Sequence, residues 1–166
     1  MKQIFTQCAA YNLWANTQFA EVINGITPSY FDREIESSFP SIRKTINHIR
    51  SAEYIWLQRM QANSLTEWPG INLAERPKEV AAAWVKGSEI LAIQIERLKD
   101  ADFEKYYPYS DMKGIEHKDL LSTMLMQVFT HSTFHRGQLV TLFRQSGITN
   151  IPRTDYIAYS RGINFN

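Results

Sequence analysis

Residues 120–143 read Leu-Leu-Ser-Thr-Met-Leu-Met-Gln-Val-Phe-Thr-His-Ser-Thr-Phe-His-Arg-Gly-Gln-Leu-Val-Thr-Leu-Phe. No proline interrupts the run and no glycine precedes Gly137, so it reads as one long helix. At about 100° per residue, Met124, Val128, His131, His135, Gln138 and Leu142 fall within a narrow arc. Two imidazoles thus continue an apolar stripe, one turn apart on one helix face. Burying both without partners would cost free energy. A single borderline transition metal supplies a partner for both; the plainer reading is a pair of hydrogen-bonded core histidines.

Helical periodicity recurs outward from this run. A first helix is expected over about residues 3–24, with Ile4, Cys8, Tyr11, Ala15, Phe19 and Val22 as its stripe, widened by Leu13 and Trp14, and Gly25 as its stop. Thr27-Pro28 opens a short helical turn, and residues 34–39 read as a connection or a short extended piece. A second helix follows over about 41–63, with Ile42, Ile46, Ile49, Trp56 and Met60 inward. His48 stands at the edge of that stripe, and Glu53 falls within it, which is odd for a carboxylate. Trp68-Pro69-Gly70 marks a turn in the loop over 64–76. Pro77 starts a third helix over about 77–99, built on Val80, Ala83, Trp84, Gly87, Leu91, Ile95 and Leu98.

Between 101 and 116 the strand formers Phe103, Tyr106, Tyr107 and Tyr109 precede Met112-Lys113-Gly114, which suggests a small hairpin or an ordered aromatic loop. The fourth helix is expected over about 117–146, closed by Gly147, and the tail over 148–166 packs irregularly. Four helices with one apolar face each bury those faces best against one another. The expected fold is all-α, a four-helix bundle forming a single domain over 1–166. Its long loops after helices one and two fit crossover connections.

Composition bounds the function. The 166 residues carry 18 basic and 17 acidic side chains with no block of either sign, which argues against a nucleic-acid partner. Cys8 is the sole cysteine, so disulfide frameworks and C-x-x-C sites are excluded and a reducing compartment fits. No apolar run approaches the ~20 residues of a membrane span, and the start lacks a secretory pattern. A cytoplasmic protein is expected.

Two ligands rarely hold a divalent ion, and His48 is the best third donor because it sits on a separate helix near the inner face. His117 is weaker: at the expected start of helix four it lies about 20 Å along the axis from His131 and reads as a cap or a solvated side chain. Three neutral imidazoles leave the charge of the ion in place and a coordination position open, the pattern of catalytic zinc sites. Zinc or nickel suits the donors, and iron and copper remain open. Gln138, one turn past His135, would orient water or substrate, or simply sit at the rim. Glu53 would accept a ring N–H from a ligand histidine or act as a base; an offset of about 140° from His48 argues against direct ligation, and an ion pair inside the bundle is the alternative. Tyr11, Trp14 and Trp56 could line a pocket.

These motifs carry a resemblance. Tyr11-Asn12-Leu-Trp14-Ala15-Asn16, Thr45-Ile-Asn-His48-Ile with Ala52-Glu53-Tyr-Ile-Trp56, the His131-x3-His135-Arg136-Gly137-Gln138 element and the ending Pro152-x2-Asp155-Tyr156-Ile157-x-Tyr159 are similar to the DinB family, also called the DinB/YfiT-like superfamily. The resemblance implies a bundle of that family's topology, often a homodimer, with a divalent metal held by His48, His131 and His135. It also brings relatives that are thiol S-transferases or isomerases using a low-molecular-weight thiol such as bacillithiol or mycothiol. The expected activity is therefore metal-dependent transfer of a thiol to a small electrophile. A metal-dependent hydrolase and a non-catalytic, metal-braced stress-response scaffold are the alternatives.

Overall fold

A computed structural model of the chain describes residues 1–65, 67–70 and 72–162. Four long helices form the body: α1 (Lys2–Asn24), α3 (Ile42–Met60), α4 (Pro77–Arg97) and α5 (Leu121–Gln145). Two short helices, α2 (Pro28–Phe31) and α6 (Tyr156–Ser160), a 3-10 helix (Asp100–Glu104) and a hairpin of β1 (Tyr106–Ser110) and β2 (Glu116–Leu120) accompany them. The starts follow local chemistry. Ser41 caps α3 by accepting from the Lys44 N–H at 3.1 Å, and Pro28 and Pro77 occupy first-turn positions where no N–H is needed. The end of α5 follows it too: Gly147 takes φ +80°, and the N–H groups of Gly147 and Ile148 return to the carbonyls of Arg144 and Phe143.

Around the bundle α1 packs on α4, α4 on α3, α3 on α5, and α5 back on α1. Apolar side chains gather in two clusters at opposite ends. One holds Phe19, Ile23, Ile42, Ile46, Val80, Trp84, Leu139 and Phe143. The other holds Phe5, Ala9, Leu57, Leu91, Ile95, Leu121, Leu125 and Phe129. This distribution makes α3 and α4 parallel, so residues 61–76 travel back along the bundle as a crossover. The link from α1 to α3 crosses the diagonal, as expected of a long connection.

Three expectations need correction. The fourth helix starts at Leu121, not near 117, because residues 116–120 pair with 106–110 as an antiparallel ladder. His117 consequently stands on a strand, stacks on Tyr109 and bonds Asp111 at 3.0 Å instead of capping a helix. The tail is not wholly irregular: α6 packs Tyr156 and Tyr159 against Tyr11, although residues 163–166 lie outside the described residues. The buried face of α1 is turned by one residue relative to the expected stripe. Phe5, Ala9, Asn12, Asn16 and Ile23 are inside together with the expected Ala15 and Phe19, and Ile4 is exposed.

The asparagines are inside because the two apolar clusters are separated by a polar layer. Asn12 and Asn16 come from α1, Glu53 from α3, Ser88 from α4, and Ser132 and Arg136 from α5, and all are buried. Glu53 Oε1 accepts from Asn12 at 2.8 Å, Asn16 at 3.1 Å and Ser132 at 3.1 Å, while Oε2 accepts from Ser88 at 2.7 Å. The Arg136 guanidinium donates to Asn12 Oδ1 at 2.6 Å, Asn16 Oδ1 at 2.8 Å and Thr133 Oγ1 at 2.9 Å. Each asparagine therefore presents its amide NH2 to the carboxylate and its carbonyl to the guanidinium. The expected ion pair of Glu53 is replaced by two charges joined through neutral dipoles. A buried network satisfied in this way fixes the relative rotation and height of four helices.

Candidate metal centre

The polar layer settles which way α5 faces. Ser132 and Arg136 point into the bundle, so the residues just before them, His131 and His135, emerge toward α3. There they meet His48, five residues before Glu53 on α3. His48 Nε2 lies 3.0 Å from His131 Nε2, and His131 Nε2 lies 3.1 Å from His135 Nε2. One nitrogen from each of the three rings falls within 4.8 Å of the others.

The donor set fits a metal ion. Three Nε2 atoms crowd together, yet a neutral imidazole donates only one ring N–H and accepts through the other nitrogen. They cannot satisfy one another fully. His131 Nδ1 is buried without a hydrogen-bond partner, so the polar contacts of this ring are those of its Nε2 with the other two histidines. Nitrogens bound to one ion at about 2.0–2.1 Å stand about 3 Å or slightly more apart, which is the spacing of the adjacent pairs here.

Protonation state fits as well. Burial pushes His48 and His131 down from 6.5 to about 4, and the neighbouring imidazoles add to the effect. Both rings are neutral near pH 7 and ready to ligate without losing a proton. The same shift makes the metal-free protein acid-sensitive. Between 6.5, where the unfolded chain takes up these protons, and about 4, where the folded chain does, the unfolded state holds more of them. Stability is therefore expected to fall as pH falls through that window. Thermal melts in chelator-treated buffer from pH 7 to pH 5, above most carboxylate titration, test this; a flat melting temperature would contradict it.

Gln138 touches a ligand directly. Its Oε1 sits 2.7 Å from His135 Nδ1, so the amide oxygen accepts the Nδ1 proton and leaves the Nε2 lone pair aimed at the other two rings. Glu53 bonds no histidine; its connection to the site runs through Ser132, next to His131. His117 is remote, on the hairpin.

The aromatic surroundings differ from those expected. Tyr11 and Trp14 pack on Tyr159, and Trp56 packs on Tyr109 and Arg59. Phe39 instead stacks on His48, with ring centroids 3.9 Å apart, and meets His135 edge-on at 5.5 Å. Trp68 lies 5.3 Å from His48, and Phe134 5.1 Å from His135. Phe39 and Trp68 come from loops, where periodicity gives no signal. Asn12, Asn16, Ser88 and Ser132 were also missed; polar residues at inward positions of all four helices were the available sign.

The DinB family model matches residues 1–163. Protein DinB of Bacillus subtilis (strain 168) is 29% identical over 165 residues, spanning 90% of this chain and 89% of that protein. The crystal structure of a DinB-like protein from Bacillus cereus ATCC 10987 superposes with a TM-score of 0.62 at 21% identity, covering 90% of this chain and 94% of that one. At that identity the likeness speaks to the fold.

Proposed function

The chain belongs to the DinB family, and from that premise we propose that it is a metal-dependent enzyme joining a low-molecular-weight thiol to a small electrophile. The observation that carries the reading is the convergence of three imidazole nitrogens from two helices, with no carboxylate among the described residues in hydrogen-bond contact with any of the three rings. His48, His131 and His135 would hold the ion, zinc or nickel by donor type. Such an ion supplies a Lewis acid that favours thiolate over thiol near neutral pH.

The rest of the work belongs to the chain. Gln138 keeps His135 in the tautomer whose Nε2 can ligate. Glu53 acts as a positioning residue, holding α5 through Ser132 so that His131 and His135 face His48. Phe39, half-buried and stacked on His48, covers one face of that ring. In the overall reaction the sulfur forms a bond to carbon, the leaving group departs with its electron pair, and the thiol proton passes to solvent.

Zinc- or nickel-loaded protein should accelerate conjugation of a thiol such as bacillithiol to 1-chloro-2,4-dinitrobenzene, and His131→Ala should return the rate to background. If stoichiometric metal binds and no thiol turns over, the transfer reading fails. Gln138→Ala is expected to weaken metal affinity about 10–100-fold, the usual cost of losing a partner to a ligand histidine. Competitive titration with a chromophoric chelator measures it, and an unchanged affinity would leave Gln138 as a rim residue. No helix among the described residues is long and apolar enough to cross a membrane, which is compatible with the cytoplasmic site of action we propose. A homodimer belongs to the same reading, with light scattering as its check.

A further inference from the structure

We propose that Trp68, Phe134 and Phe39 form an aromatic clamp that binds a flat apolar group of the substrate beside the ion. This inference rests on the metal reading above and specifies the substrate class of that site.

The exposed side chains lead to it. Among the described residues, the large apolar side chains left exposed include four tyrosines, but only one tryptophan and one phenylalanine. An exposed tyrosine keeps its hydroxyl in water, whereas an exposed phenylalanine ring has no polar group to hydrate. Trp68 is 50% exposed and Phe134 is 65% exposed. Both lie against metal-ligand candidates: Trp68 at 5.3 Å from His48 and Phe134 at 5.1 Å from His135. Isolated exposed apolar residues need no explanation, but two large rings converging on one three-histidine cluster do.

The three rings reach the cluster from separate elements. Phe39 precedes α3 and, half-buried, stacks on His48 at 3.9 Å. Trp68 belongs to the crossover that returns along the bundle, and Phe134 to α5. Together they flank the histidines with π faces and edges. Among the described residues no Asp, Glu, Lys or Arg forms a hydrogen bond or ion pair with His48, His131 or His135; their polar partners are one another and Gln138. The side chains that flank the histidines are thus rings, and an aryl or similarly flat apolar group would cover ring surface now facing water.

Binding can be read without turnover. Cobalt(II) is loaded into the protein, and two thiols of similar acidity, benzyl mercaptan and 2-mercaptoethanol, are titrated against the sulfur-to-cobalt charge-transfer absorption. Benzyl mercaptan is expected to bind at least about tenfold more tightly, as covering one ring's worth of apolar surface implies. Trp68→Ala and Phe134→Ala should each erode that preference several-fold while leaving 2-mercaptoethanol affinity unchanged. Both side chains are at least half exposed, so their removal spares the core. Equal affinities in the unmodified protein, or variants that weaken both thiols alike, would overturn the clamp. Absence of the cobalt ligand-field bands is a separate failure: it overturns the metal reading and the clamp with it. Bands with no charge-transfer signal from either thiol would also overturn it.

Discussion

Replacing Glu53 with alanine is expected to destabilise the protein by about 3–5 kcal/mol, the usual cost of removing one partner from a buried charged network. Its carboxylate is the common acceptor for Asn12, Asn16, Ser88 and Ser132, one or two donors from each of three other helices. Without it those donors lose their acceptor, and Arg136, only 3% exposed, keeps its charge without a counter-charge. Domains of this kind are stable by roughly 5–15 kcal/mol, so the change removes a large fraction of the total. Glu53→Gln preserves the shape and should cost less. Urea unfolding, compared at constant slope, measures the difference. A loss under about 1 kcal/mol would show that the layer is no more than an ordinary set of exchangeable hydrogen bonds.

The second large effect concerns the cluster itself. His131 is its hinge, since both other Nε2 atoms lie within 3.1 Å of its own. His131→Ala is expected to reduce zinc affinity by at least about 100-fold, more than loss of a supporting partner such as Gln138. Helical content of the metal-free protein should hardly change, because His131 is half-buried and the layer behind it stays intact. Calorimetric titration with zinc reads the first quantity and circular dichroism the second. Unchanged affinity would remove His131 from the site.

Much of this was legible in the chain. The run over 120–143 disclosed a helix and its two histidines, and His48 followed as the donor on another helix. The bundle, the hairpin and the crossover after α3 were readable because periodicity, strand formers and Trp68-Pro69-Gly70 each carry local signals. What stayed hidden was cooperative. Asn12 and Asn16 look like surface residues until Glu53 and Arg136 give them partners on other helices. Hydropathy therefore turned α1 by one residue and exposed Asn12 in place of Ile4. Glu53 stood out as a carboxylate in an apolar stripe, but its four partners lie 35 to 79 residues away. The start of α5 moved because Glu116–Leu120 found a strand partner, a choice that helix periodicity cannot see. The ring neighbours of the histidines were missed for a similar reason: Phe39 and Trp68 arrive on connections, whose paths depend on the packed bundle.

The most direct test is X-ray absorption at the zinc edge on protein purified without a histidine tag and loaded with zinc. One ion per chain, with three imidazole nitrogens at about 2.0–2.1 Å, is the predicted result, and His48→Ala should remove one of them. A sub-stoichiometric ion, or a nitrogen shell unaltered by His48→Ala, would contradict a centre built by these three histidines.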